Sequence, residues 1–368
     1  MLQLRREKKG GPVVGLEIEA GAIAAAEVDS ARLNKAAIGP LAPGAFHEGE
    51  VIDADLLTES LKALFSQNKL SKRVRLGIGN QRVVVRTLRM PAIEDPKEMA
   101  AAVRFQAQEQ IPMPLDQAVL EHQVVGGVPA EEGGQPQLDV VVVAARRDMV
   151  TQFVAPLRRA GLEPIGIDLS AFAMIRALAD VAAPPEPATE VSGEGEPAAN
   201  VPRPDEAVLY CNVGDVMNLA VARGRSCLFT RVSMTGMESM TARLAGETGL
   251  VPEHASQWLN HVGVDRPLDQ IEGDPQIVSR ARGILEEGVN GLVDEMRLSL
   301  DYYGAQEGAV PVGQVVLCGP GSAIPGLSRV MEGGVALPIA AARPPAFGGY
   351  DDDAAARLTL AYGLALEN

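Results

Sequence analysis

GLEIEAGAIAAAEV, residues 15–28, and LYCNVGDVMNLAVAR, residues 209–223, decide the fold. Each carries two strand-length runs of small and apolar side chains about a short turn, one hairpin in each half of the chain. A third segment, LCGPGSAIPGL at 317–327, runs from an apolar strand through a glycine turn into a helix. One design used twice at long spacing indicates a duplicated domain. Glycine turns of this kind let backbone N–H groups approach a phosphate closely. Yet Glu17 and Glu19 stand in the first turn, where a phosphate asks for neutrality or positive charge.

Outward from the first hairpin, Val13–Ile18, Ile23–Val28 and Lys35–Ile38 read as strands. Asp53 caps a helix with Leu57, Leu61, Leu64 and Phe65 at helical spacing. Val74–Ile78 and Val83–Leu88 are strands. Asp95-Pro96-Lys97-Glu98 starts a helix with a cap, a proline at the first position and an acid, and Pro112 and Pro114 end it. Strands follow at Val119–Val125 and Leu138–Ala145, a helix carries Met149, Phe153, Val154 and Leu157, and a strand at Pro164–Asp168 precedes a helix at Ala171–Val181. Strand and helix never alternate regularly, so the class is mixed α/β. Residues 183–205 are acidic and rich in proline, glycine and alanine, and read as a linker. The second half holds the 209–223 hairpin, a strand at Ser226–Val232, one helical stretch from Met237 to His261, a long helix from Pro275 to Tyr303 and an apolar helix at Leu358–Leu366.

The 368 residues are enough for two domains, with 46% hydrophobic and 22% charged side chains. A net charge of −15 excludes nucleic acid as a partner and disfavours adsorption to anionic lipid. No apolar run approaches a membrane span. Cys211, Cys227 and Cys318 are an odd, dispersed set and read as reduced core thiols, so the expected location is cytoplasmic. P-loop, zinc-protease and nucleophile-elbow motifs are absent, Gly77-Ile78-Gly79 lacks the third glycine of a dinucleotide fingerprint, and His254 and His261 read as isolated histidines.

These stretches, together with VRFQAQEQIPMPLDQAVLEHQVVG at 103–126, LDVVVVAARRDMV at 138–150 and LVDEMRLSLDYY at 292–303, resemble the PilM family of type IV pilus assembly proteins and, more distantly, FtsA. The resemblance implies an actin-like bilobal α/β fold of the Hsp70 and hexokinase type, with four subdomains around a cleft. Residues 12–80 with 163–182 would form the first core subdomain and 83–162 an inserted FtsA-like one. Residues 206–232 with 290–366 would form the second core subdomain, with 233–289 as its insert.

The same resemblance implies ATP with Mg²⁺ as the ancestral ligand. In the family's first phosphate loop an aspartate, a glycine and a lysine fall where this chain has Glu17, Glu19 and Ala24. Two like charges 4 Å apart at an effective dielectric of 20 repel by about 4 kcal/mol, so Glu19 opposes a triphosphate. The second loop keeps Gly214 but has Asn212 in place of the aspartate; the adenosine-side turn keeps Gly319, Gly321 and Ser322 around Pro320. The candidate ATP contacts are therefore Asn212, Gly214, Gly319, Gly321 and Ser322, with no catalytic residue and no metal ligand assigned. Both a degenerate site and a working phosphate clamp remain open. The implied role is a cytoplasmic scaffold of the pilus or a related secretion machine. It would bind the cytoplasmic N-terminal tail of a PilN-like inner-membrane protein, with 74–115 as the region expected to form the groove. The alternatives are an active actin-like ATPase and an FtsA-like membrane tether. The terminal helix, which lacks basic residues, reads as core packing and not as a membrane anchor.

Overall fold

The computed structural model describes residues 2–3, 11–19, 21–128, 136–182, 206–306 and 308–366, so the expected linker at 183–205 lies outside the described residues. The first half begins with β1 (Leu2–Gln3), β2 (Val13–Glu19), β3 (Ala22–Asp29), β4 (Arg32–Pro40) and a small hairpin of β5 (Phe46–His47) and β6 (Glu50–Val51). Helix α1 (Ala54–Asn68) starts where the Asp53 carboxylate accepts from the Asp55 and Leu56 N–H groups, and it buries the leucines seen in the sequence. Strands β7 (Arg73–Ile78) and β8 (Val83–Pro91) lead to α2 (Pro96–Gln110), where Asp95 accepts from the Lys97 and Glu98 N–H groups. Then come β9 (Ala118–Val128), β10 (Gln137–Arg146), α3 (Arg147–Arg159), β11 (Glu163–Leu169) and α4 (Ser170–Ala182).

The second half runs β12 (Ala207–Val213), β13 (Met217–Arg223), β14 (Ser226–Ser233), α5 (Met237–Thr248), α6 (Pro252–Val262) and α7 (Pro275–Gly304). It closes with β15 (Val312–Cys318), α8 (Leu327–Val335), β16 (Ile339–Ala341) and α9 (Asp352–Ala365). The single helical stretch expected from Met237 to His261 is two helices. Gly249 ends the first in a left-handed conformation (φ 74°), and Pro252 opens the second. Helix α9 starts six residues before the expected Leu358, because Asp351 caps it by accepting from the Ala354 N–H.

The duplication is explicit in the sheets. The first is ordered β1-β11-β7-β2-β3-β4 and the second β14-β13-β12-β15-β16. In each, an antiparallel three-stranded meander is extended by two parallel strands, β7 and β11 in one, β15 and β16 in the other. A separate sheet, β8-β10-β9, is inserted between β7 and β11. One of its faces buries Leu88, Met90, Val140 and Val142 against Met99 and Val103 of α2.

Two helices cross between the lobes. Helix α4 follows β11 of the first lobe but packs Met174, Ile175 and Leu178 against Val208, Tyr210 and Ala220 of the second sheet. Helix α9 follows the second lobe but packs Leu358 and Ala361 against Ala24 and Ala26 of the first sheet. The contact is backbone to backbone: a Cβ at Gly15 would fall 1.9 Å from the Ala361 carbonyl oxygen, and one at Gly363 would fall 1.9 Å from that of Ala173. Leu360 of α9 packs with Val208 and Tyr210 of the second sheet, the lobe with which the sequence expectation grouped residues through 366. Helix α9 is core, as the apolar Leu358–Leu366 stretch suggested; its one basic residue, Arg357, lies before that stretch. No helix among the described residues is long and apolar enough to cross a membrane.

Candidate functional site

The C-terminal ends of β2, β7, β12 and β15 converge between the lobes, the position where open α/β sheets place their ligands. Glu17 and Glu19 finish β2. Ser170, the first residue of α4, donates its hydroxyl to Glu17 Oε1 at 2.9 Å. Glu17 Oε2 is buried with no hydrogen-bond partner among the described residues, and it packs where a Cβ on Gly77 would come within 2.1 Å. Burial, reinforced by the charge of Glu19, pushes the Glu17 carboxyl up to about 8, against the pull of the Ser170 hydrogen bond.

Glu19 reaches across the crevice. A Cβ at Gly214, in the turn between β12 and β13, would lie 2.3 Å from Glu19 Oε1. Burial raises the Glu19 carboxyl to about 7, with Arg357 opposing and Asp353 adding to the shift. Arg357, on α9, donates to Asp353 at 2.9 Å, and its charge faces both Glu19 and Asp215 of the second lobe. Asn218, on β13, reaches the other way: a Cβ at Gly79 would be 2.7 Å from Asn218 Oδ1, itself buried and without a partner among the described residues. Between these groups is a cavity of about 20 Å³, room for one water. At the rim Glu238, in the first turn of α5, accepts from the Glu48 N–H at 2.9 Å and holds His47 Nδ1 at 2.6 Å. Nearby, Gln81 Nε2 donates to the Val232 carbonyl at 3.2 Å.

The five residues singled out in the sequence are brought together, but largely toward one another. Asn212 is buried opposite Asn218 in the β12–β13 register, and its side-chain oxygen accepts from the Cys318 thiol at 3.8 Å. Gly319 has φ 81°, and a Cβ there would meet Asn212 Oδ1 at 2.3 Å, so both conformation and space require glycine. Gly321 packs on Val213, and the Ser322 hydroxyl donates to the Gly319 carbonyl at 2.7 Å. Sequence reasoning missed Ser170, Arg357, Asn218 and the glycine pair at 77 and 79. That pair is no dinucleotide fingerprint; two glycines at i and i+2 closing an apolar strand are the mark of a crevice wall, against which Glu17 and Asn218 pack. Among the described residues no group of three histidine, cysteine, aspartate or glutamate side chains is placed to hold a metal.

A second concave surface lies on the face of the β8-β10-β9 sheet turned away from α2. Val125, Val141 and Val143 form one wall, and Phe172 and Ile175 of α4 with Cys227 of β14 form the other, around about 290 Å³. A further 370 Å³ lies between Val83–Arg86 of β8 and Thr230–Val232 of β14. β14 is the last strand of its sheet, so one side of its backbone is unpaired in the ladder along both stretches. Of the expected 74–115 region only Ile78–Arg86 lines this surface; α2 packs on the opposite face.

The family model of type IV pilus assembly protein PilM matches residues 15–368. The chain belongs to the PilM family. It resembles the structure titled PilM-PilN type IV pilus biogenesis complex with a TM-score of 0.75 at 24% identity, over 96% of this chain and 97% of that one. It also resembles the ethanolamine utilization protein EutJ from Carboxydothermus hydrogenoformans (TM-score 0.52, 14% identity, 98% and 91% covered). MreB5 of Spiroplasma citri bound to AMPPNP gives a TM-score of 0.53 at 11% identity, with 97% and 95% covered. The fold is thus the actin-like bilobal one, and the PilM member described here carries two acids and an asparagine at the crevice between its lobes.

Proposed function

We propose that this PilM-family protein is a scaffold in the inner-membrane assembly complex of a type IV pilus or a related secretion machine. In this reading it lies at the cytoplasmic face of the membrane and is held there by protein partners. The groove between the β8-β10-β9 sheet, α4 and β14 receives the short cytoplasmic N-terminal tail of a PilN-like membrane protein. The observation that carries this is a trough with an apolar lining of Val125, Val141, Val143 and Phe172, polar at Glu121 and Arg225, and walled by an unpaired strand edge. An extended peptide adds to such an edge through main-chain hydrogen bonds and reads specificity with alternate side chains. The similarity to the PilM of a complex with PilN supports the same partner class. The test is calorimetry of the full chain with the N-terminal tail peptide of a PilN-like protein from the same organism. Micromolar binding that falls at least tenfold in Val125→Glu is expected; no binding by the wild-type chain overturns the reading.

We further infer that the crevice does not hydrolyse ATP. The residues present do not fit a triphosphate with Mg²⁺. The space is one water wide, the Glu17 and Glu19 side chains fill the first lobe's side of it, and the charge of Arg357 already faces Asp353, Glu19 and Asp215. Phosphoryl transfer rests on positioning and charge neutralisation, and neither is supplied. Phosphate release above background with Mg-ATP would overturn this inference without touching the first.

A further inference from the structure

We propose that Glu19 is a built-in strap standing in the place of a nucleotide phosphate, its carboxyl group seated over the Gly214 turn of the opposite lobe so that the lobes stay closed with no ligand between them. In an actin-like cleft the bound phosphates touch the turns of both lobes and thereby join them. Here the first lobe's own side chain spans that gap, and the absence of a side chain at Gly214 is what admits it, since a Cβ there would sit 2.3 Å from Glu19 Oε1.

The contact has a counterpart in the reverse direction. Asn218 of the second lobe covers Gly79 of the first, so each lobe sends one polar side chain over a glycine of the other. Arg357 adds a third link, because α9 is built into the first sheet while the arginine's charge faces Asp215 of the second lobe as well as Glu19. An acid lying free on the surface would need neither a glycine beneath it nor a cation facing it. Half-burying a carboxyl costs stability unless something is gained in return, and the seat over the opposite lobe's turn is what this one gains. The inference goes beyond the peptide-docking reading and stands without any peptide or nucleotide.

Amide hydrogen exchange of the turn at 214–216, measured on the full chain without ligand, tests it. Glu19→Ala is expected to speed exchange there at least tenfold, while Glu19→Gln, which keeps the shape and both polar atoms, stays within threefold of wild type. Gly214→Ala is expected to speed exchange comparably, because its methyl displaces the carboxyl, and the double variant should be no faster than either single one. Glu19→Gly, the residue type that the family resemblance implies at this position, repeats the measurement should the alanine variant not fold. Exchange within twofold of wild type in the folded Glu19 variants overturns the proposal, as does full additivity of the two single effects.

Discussion

Arg75 and Leu364, 289 residues apart in sequence, are joined by a hydrogen bond of 2.9 Å from the guanidinium Nη1 of one to the carbonyl oxygen of the other. The same nitrogen donates to the Leu366 carbonyl at 2.7 Å. A helix ends with carbonyls that lack intrahelical donors, and a cation at that end also answers the helix dipole. Arg75 therefore caps α9 from the middle of β7. Arg176, paired with Asp168 at 2.5 Å, does the same at the Gly363 carbonyl.

Replacing Arg75 by methionine removes the donor and leaves buried carbonyls exposed to no water. The expected loss is about 2–4 kcal/mol, read from urea unfolding of the full chain. An unchanged midpoint would mean that α9 is held by packing alone.

The crossing of α4 and α9 makes a sharper case. Gly363→Ala places a methyl 1.9 Å from a backbone oxygen that has no room to retreat, so a cost of at least about 3 kcal/mol is expected. Gly246→Ala, in α5 with nothing near its Cβ position, is the control. It should be neutral or stabilise by about 0.5–1 kcal/mol, as alanine does in an open helix. Thermal melts of the two variants should move in opposite directions.

The raised Glu17 carboxyl sets a pH dependence. Its ordinary value is 4.5 and its folded value about 8, so in that window the folded chain holds a proton that the unfolded chain has released. Stability consequently falls as pH rises from about 5 to 8, by roughly 5 kcal/mol at the upper limit set by the linkage relation. Glu17→Gln, which is neutral throughout, should lessen that slope in denaturant titrations at several pH values, leaving the part that the raised Glu19 carboxyl contributes. An equal slope in the variant would place the carboxyl in contact with solvent.

At the rim the sign reverses. The hydrogen bond that the His47 imidazole donates to Glu238 raises its value above the ordinary range, so this link is at full strength below pH 6.5 and fades as pH climbs through the folded value. His47 is largely exposed, which limits the effect to under about 1 kcal/mol. NMR titration of His47 in wild type and in Glu238→Gln should show the raised value in the first and the ordinary one in the second.

Much of the fold was legible because it is written in local signals. Asp53 and Asp95 cap their helices as their positions foretell, and the two hairpins form where the two strand-length runs lie. The α9 placement was not legible. Its apolar residues say that it is buried, while its seat is chosen by Gly15 of β2 and by its own Gly363 against Ala173 of α4, whose roles are visible only once the backbones meet. The site was half legible. Glu17 and Glu19 announced themselves by sign of charge alone. Arg357 and Ser170 arrive from helices distant in sequence, and the structure of one chain brings them in where no spacing rule could.

The exchange of helices between lobes has a consequence for vectorial synthesis. The face of β2 and β3 that carries Gly15, Ala24 and Ala26 leaves the ribosome more than three hundred residues before the α9 segment that will cover part of it. That face of the amino-terminal lobe therefore stays uncovered in the nascent chain until translation delivers the missing lid.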